Sequence, residues 1–187
     1  MAINVQTTGL DARHADLVSI AAVRLRGERL RLSESLDLRL ARPASLTAES
    51  IRRHGLRGID LEDGLPVGLA LAQLLDFIGN RPLVGWRLGH ALESLNRELR
   101  PRFGFDLPNA GIDIRHNYVR QLRRRHPEIE PILRFDEVAR TLDVSMTDCR
   151  TPLGVAVTTA LMYLRLTRGA MLASERGGSI AGKQAGW

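Results

Sequence analysis

The chain has 187 residues, of which 44% are hydrophobic and 26% are charged, a balance typical of one folded domain. Its net charge of +6 comes almost entirely from arginine, which favours phosphate-rich or acidic partners, although arginines scattered over a solvated surface give the same total. A single cysteine excludes an internal disulfide, and no apolar run is long enough to cross a membrane. Without a recognisable signal peptide, we expect a cytoplasmic protein.

The N-terminal part predicts three strands and then helices. Apolar alternation and turn residues predict a short strand at Ile3–Gln6 and an antiparallel hairpin formed by residues 17–26 and 29–40, with its turn at Gly27. Thr47 is expected to cap a short helix that ends near His54 and Gly55, because its hydroxyl can accept an unpaired backbone N–H.

The rest of the chain alternates helices with short strands. Helical spacing and stop signals predict helices at 65–78, 88–99, 115–125, 134–142 and 153–168, with Pro101 ending the second of them, and strands at 82–85 and 111–114. This order predicts an α/β fold with a mixed sheet. We expect a single domain at 1–168 and a flexible C-terminal tail at 169–187.

The first strand ends in Asn4-Val5-Gln6-Thr7-Thr8-Gly9-Leu10, and residues 53–56 (RHGL) follow the hairpin. These segments resemble the DEDDh 3'-to-5' exonucleases, the DnaQ-like family that includes RNase T and oligoribonuclease, whose first motif reads approximately D-x-E-T-T-G-L. The resemblance covers nearly the whole chain. It implies a ribonuclease H-like fold, with a mixed sheet of about five strands, an antiparallel hairpin plus parallel strands, flanked by helices.

The resemblance also implies that all five catalytic positions are replaced. Asn4 and Gln6 stand where the family has metal-binding acids. In the second motif, V-G-H-N-x-x-F-D in the family, Trp86 and Arg87 replace His-Asn and Ala91 replaces the acid. In the third motif, Arg150 falls at the general-base histidine and Val155 at the acid; an alignment shifted by one residue places Cys149 and Gly154 there instead.

Two-metal phosphodiester hydrolysis requires carboxylates that hold two divalent ions beside the scissile phosphate. Amide carbonyls are weak substitutes for carboxylates as ligands of Mg²⁺ or Mn²⁺, Ala91 and Val155 offer no ligand, and arginine stays protonated. We therefore expect no metal cofactor and no catalytic residue. Rescue by Glu93, Asp11, Asp113 or Asp148 is the less favoured interpretation; Glu93, for example, lies about 200° around its helix from Ala91.

Seven residues are candidates for binding a ligand in the former catalytic cleft. Arg150 either holds a phosphate or a partner's carboxylate, or pairs with an acid such as Asp148 and closes the old site. Trp86 and His90 either stack on a base or fill volume in the core. The remaining candidates are Thr7, Thr8, His54 and Arg87. A basic cluster at 120–126 either contacts phosphates or is a solvated helix face.

Three functions remain open from the sequence. The favoured one is a non-catalytic or regulatory module that binds nucleic acid, a nucleotide or a protein partner. The second is an exonuclease or phosphodiesterase with a shifted metal site, and the third is a protein-interaction scaffold without nucleotide affinity. Because several members of the family are dimers, a homodimer is expected by resemblance alone.

Overall fold

A computed structural model describes residues 1–146, 148–149 and 151–178, with side chains up to Arg168. The sheet has five strands in the order β3-β2-β1-β4-β5, where β1 is Ala2–Thr7, β2 Leu17–Arg26, β3 Arg29–Arg39, β4 Leu83–Gly85 and β5 Gly111–Asp113. The first three strands pair antiparallel, whereas β4 is parallel to both β1 and β5. The predicted mixed sheet with one hairpin is confirmed.

The hairpin between β2 and β3 turns at Gly27, whose φ of 57° is readily adopted by glycine. Leu17–Val23 is buried throughout because layers of the protein cover both faces of β2. β3 lies at the edge and is mostly exposed, as its alternation of charged and apolar residues predicts. The register of the β1–β2 pair shifts between Gln6 and Thr7, and the pairing ends one residue later at Thr7 and Leu17.

The described part of the chain contains six α-helices and one 3-10 helix. They are α1 Ala48–His54, the 3-10 helix Gly58–Leu61, α2 Val67–Ile78, α3 Leu88–Phe103, α4 Ile114–Arg125, α5 Phe135–Thr141 and α6 Pro152–Gly178. Thr47 caps α1 as predicted. Its hydroxyl accepts the Ser50 N–H at 3.2 Å, and the Ser50 hydroxyl in turn accepts the Thr47 N–H at 3.0 Å. Within the described residues, no helix has the length and apolarity needed to span a membrane.

The core has two main layers, one on each face of the sheet. Adjacent residues of β1 point in opposite directions, so Ile3 packs with Leu74 and Leu95 of α2 and α3, whereas Ala2 packs with Val138 and Met162 of α5 and α6. Burial on both faces explains why β4 and the first seven residues of β2 read as nearly continuous apolar runs. The candidate site residues lie where β1 and β4 end.

Two predicted helix ends are wrong. Pro101 does not end α3, which continues to Phe103 and closes at Gly104, where the backbone is left-handed and the N–H bonds to the Arg100 carbonyl at 3.0 Å. The last helix does not end at Arg168 but runs to Gly178, because Gly169 is followed by good helix formers and one glycine costs only about 1 kcal/mol. The flexible tail at 169–187 remains a prediction, and residues 179–187 lie outside the described residues.

Candidate functional site

A cleft of about 360 Å³ lies at the carboxyl ends of β1 and β4. Open α/β sheets commonly bind ligands at the carboxyl ends of their parallel strands. The structure brings most of the predicted site residues together here. The described residues that line the cleft are Ile3, Asn4, Val5, Gln6, Thr7, Gly9, Leu10, Arg53, His54, Trp86, Arg87, His90, Ala91 and Phe135.

Asn4 and Gln6 stand on β1 on the face toward α6, and both side chains are committed to the protein. The Asn4 amide donates to the Pro152 carbonyl at 3.3 Å, which ties β1 to the first turn of α6. The Gln6 carbonyl oxygen accepts the Ser19 hydroxyl at 2.9 Å, across the β1–β2 pair. An aspartate at position 4 would face a carbonyl oxygen, so the amide suits this position and a carboxylate does not.

The two threonines that follow have different roles. Thr7 lines the cleft, and its hydroxyl donates to the Gly9 carbonyl at 2.7 Å. Thr8 is buried away from the cleft; its hydroxyl accepts the Asp16 N–H at 3.0 Å and contacts the Ser45 hydroxyl at 2.9 Å. Thr8 is therefore not a lining residue, and its side chain holds the turn after β1.

Trp86 and Arg87 connect β4 to α3. The Trp86 ring lines the cleft and also packs edge-on against Phe135 at a centroid distance of 5.3 Å, while the Arg115 guanidinium lies 5.9 Å from its centroid. Arg87 has a left-handed backbone with φ of 54°, an unusual conformation for a residue other than glycine. The Arg87 side chain has no hydrogen-bond or ion-pair partner among the described residues.

Two histidines line the same cleft. His54 is 5% exposed; its Nδ1 accepts the Leu56 N–H at 3.1 Å, so in the neutral ring the proton is on Nε2, which has no partner among the described residues. Burial lowers the pKa of His54, and Arg53 lowers it further. Burial and the charge of Arg87 likewise lower the pKa of His90, whose Nε2 also lacks a described partner.

The other positions that are predicted to be replaced do not all line the cleft. Ala91 is 7% exposed and lines the cleft from α3. Val155 stands on the first turn of α6, half-buried, and is not among the described lining residues. Arg150 lies outside the described residues, so its position and its pairing with Asp148 stay predictions.

Three of the four acids considered as substitutes, Asp113, Asp11 and Glu93, are engaged elsewhere. Asp113 caps two helices, accepting the Leu88 N–H at 2.7 Å and the Arg115 N–H at 2.8 Å. Asp11 accepts the Arg13 N–H and contacts His14, and Glu93 faces a different pocket beside Arg13. The described lining of the cleft contains no carboxylate, and the described residues contain no group of three or more His, Cys, Asp or Glu suited to a metal ion. The described side chains that line the cleft do not provide the carboxylate ligands that two divalent ions need.

Sequence reasoning missed a second groove of about 320 Å³ that adjoins the cleft. Arg87 and His90 line both, and α4 contributes Arg115, His116 and Val119 to the groove. Its only described acid is Asp113, whose two oxygens are used in capping. In the sequence, only the run of arginines in α4 pointed to a binding surface there. The sequence did not indicate which end of the sheet α4 lies against.

No protein-family model matches the chain, and no curated protein matches it. Solved structures do. Exonuclease I of E. coli, in a complex with an oligonucleotide, aligns with a TM-score of 0.75 at 14% identity over 93% of this chain, and cell-death related nuclease 4 aligns with a TM-score of 0.75 at 11% identity over 90%. The chain has the ribonuclease H-like fold of the DnaQ-like exonucleases.

At 11–14% sequence identity these matches show a shared fold, and they do not assign a role to any residue of this chain. The chain spans 42% of that exonuclease I and 63% of cell-death related nuclease 4, so both are longer proteins. Exonuclease I has also been solved in a complex with SSB-Ct. The resemblance recognised from the motifs is thus confirmed for the DnaQ-like fold, while the loss of catalysis remains a prediction.

Proposed function

We propose that this chain is a binding module that takes a nucleotide or a nucleic-acid strand in the cleft at the ends of β1 and β4 and does not hydrolyse it by two-metal chemistry. One observation carries the proposal: the described lining has no carboxylate but includes Arg53, which is paired with Glu49 at 3.1 Å, and Arg87, which has no described partner. Such a lining attracts phosphate and repels divalent cations. The oligonucleotide complex of exonuclease I supports nucleic acid as the ligand.

The polar groups of the cleft agree with an anionic ligand. The Arg87 guanidinium has no described partner and can form paired hydrogen bonds with phosphate oxygens. His54 and His90 have lowered pKa values and are neutral near pH 7, so they add donors or acceptors without adding charge. Trp86 lines the cleft wall, although its packing on Phe135 restricts stacking on a base.

The binding test uses fluorescence anisotropy with fluorescein-labelled trinucleotides of DNA and RNA. Arg87→Asn removes the charge and tolerates the left-handed backbone, so the fold is expected to survive. We expect trinucleotide binding to weaken about tenfold or more, the effect of losing hydrogen bonds to a charged group. Arg29→Asn, an exposed arginine of β3 on the hairpin, is the matched control and is expected to bind like the wild type.

The catalytic test incubates single-stranded DNA and RNA with the protein and Mg²⁺ or Mn²⁺. No 3'-to-5' shortening is expected. Robust shortening that is abolished by Gln6→Ala or another change in this cleft would overturn the proposal in favour of a shifted metal site. Failure of DNA and RNA to bind, with recovery of a stable protein partner, would instead favour the scaffold function.

A further inference from the structure

The arginines of this protein differ in whether an acid neutralises them. Arg57 is paired with Asp60 at 3.1 Å and Arg100 with Asp106 at 2.6 Å, and several other arginines have similar pairs. α4 is an exception. Its twelve residues, IRHNYVRQLRRR, contain five arginines and no acid.

Three exposed arginines of α4 have no acidic partner among the described residues. They are Arg120, Arg123 and Arg124, and the one hydrogen bond described for Arg120 goes to the uncharged Asn117 amide at 2.8 Å. Both oxygens of Asp113, the acid just before α4, are used in capping, and Glu128, the first acid after α4, lies beside His126. The charges of these three arginines are therefore available to an external partner.

The basic face of α4 continues the groove beside the cleft. His116 lines that groove, and Arg120 and Arg123 follow it at spacings of four and three residues, which place the three side chains along one side of the helix. From His116 to Arg123 this side extends about 10 Å along the helix axis. The groove in turn shares Arg87 and His90 with the cleft.

We propose that the ligand of the cleft is a single-stranded nucleic acid of several nucleotides, whose phosphodiester backbone runs from the cleft through the groove onto the basic face of α4. The proposal rests on the function proposed above and selects a polymer over a mononucleotide. The cleft and the groove share Arg87, the basic face of α4 adds Arg120 and Arg123, and one nucleotide in the cleft would leave the arginines of α4 uncovered. A backbone of repeated phosphates matches that surface, and a strand-binding module typically covers about four nucleotides or more.

The test compares fluorescein-labelled oligothymidylate and oligouridylate of three and of twelve residues, titrated with the whole protein. We expect the twelve-residue strands to bind at least tenfold more tightly than the three-residue ones. In Arg120→Gln/Arg123→Gln, binding of the twelve-residue strands is expected to weaken several-fold while that of the three-residue strands is unchanged. Because each lost phosphate contact lowers the salt slope of single-strand binding by about 0.7, the slope is expected to fall by about 1.4.

The control is Arg29→Gln/Arg31→Gln, which removes the same charge from exposed positions on the hairpin. Equal weakening in the control, or twelve-residue strands that bind no better than three-residue ones, would overturn the extended path. If the three-residue strands bind through Arg87 and the twelve-residue strands bind no more tightly, the proposed function stands and only this inference is removed. Absence of binding at either length would remove both.

Discussion

Placing an aspartate at position 4 tests whether the cleft requires an amide there. The Asn4 amide donates to the buried Pro152 carbonyl at 3.3 Å, so Asn4→Asp loses a hydrogen bond and places a carboxylate oxygen against a carbonyl oxygen. Losing the bond and leaving a buried acceptor unpaired costs about 1–3 kcal/mol. We expect the free energy of unfolding at pH 8 to fall by about that amount.

The loss is expected to depend on pH with a definite sign. In the folded state the new carboxyl group is favoured in its protonated form, which can donate to the Pro152 carbonyl, so its pKa is raised above the ordinary value of about 3.9. The loss of stability in Asn4→Asp is therefore absent below about pH 4, and it grows as the pH rises through the raised pKa of the new carboxyl group. Gln6→Glu is the comparison, because a glutamate there still accepts the Ser19 hydroxyl and is expected to cost less than about 1 kcal/mol.

Equilibrium unfolding in urea at several pH values, with linear extrapolation to water, measures both variants. The reasoning fails if Asn4→Asp is as stable as the wild type at pH 8, if its deficit does not change with pH, or if Gln6→Glu costs more. Adding Mn²⁺ provides a further check. Stabilisation of Asn4→Asp by the metal would indicate that a carboxylate at this position can still assemble a metal site.

Three further predictions concern stability. Asp113→Ala removes the N-terminal caps of both α3 and α4 and is expected to cost about 2 kcal/mol, whereas Asp113→Asn, which keeps one acceptor, is expected to cost about half as much in urea unfolding. Because His54 and His90 have lowered pKa values in the folded protein, the free energy of unfolding is expected to decrease as the pH falls below about 6.5, the ordinary histidine value. Gly64→Ala places a Cβ 2.2 Å from the Leu40 carbonyl oxygen and is expected to cost about 3 kcal/mol or more, measured by calorimetry.

Each of these predictions has a matched check. Hydrogen exchange in the first turns of α3 and α4 should accelerate in Asp113→Ala; unchanged exchange there would contradict the double cap. A stability that stays constant down to the range where carboxylates titrate would contradict the histidine argument. Gly89→Ala adds a methyl group that meets no atom within 4 Å and is expected to leave stability unchanged or slightly higher, unlike Gly64→Ala.

Most elements were predictable from local signals. The hairpin follows from alternation on both sides of Gly27, and α1 follows from the Thr47 cap and the left-handed Gly55 after it. Helix ends were less predictable, because Pro101 and Gly169 are unfavourable in helices without excluding them. Tertiary packing and neighbouring helix formers outweigh such single-residue costs.

The site was predictable in part. The residues around Thr7 identified the strand end that forms the cleft, and the structure places Asn4, Gln6 and Ala91 around that cleft. Thr8 follows Thr7 directly in the sequence, yet its side chain bonds within the turn between β1 and β2, because Thr8 is the first residue after β1. A motif gives the order of residues but not which of them face the ligand.

The sequence by itself determined most of the helices and strands and the DnaQ-like resemblance, because periodicity and residue identity are local properties. Only the tertiary structure decided that β4 pairs with β1, that Asp113 caps two helices and that α4 lines the groove beside the cleft. These relations join segments that are far apart in the chain. They arise from burial of both faces of the sheet, which no local pattern specifies.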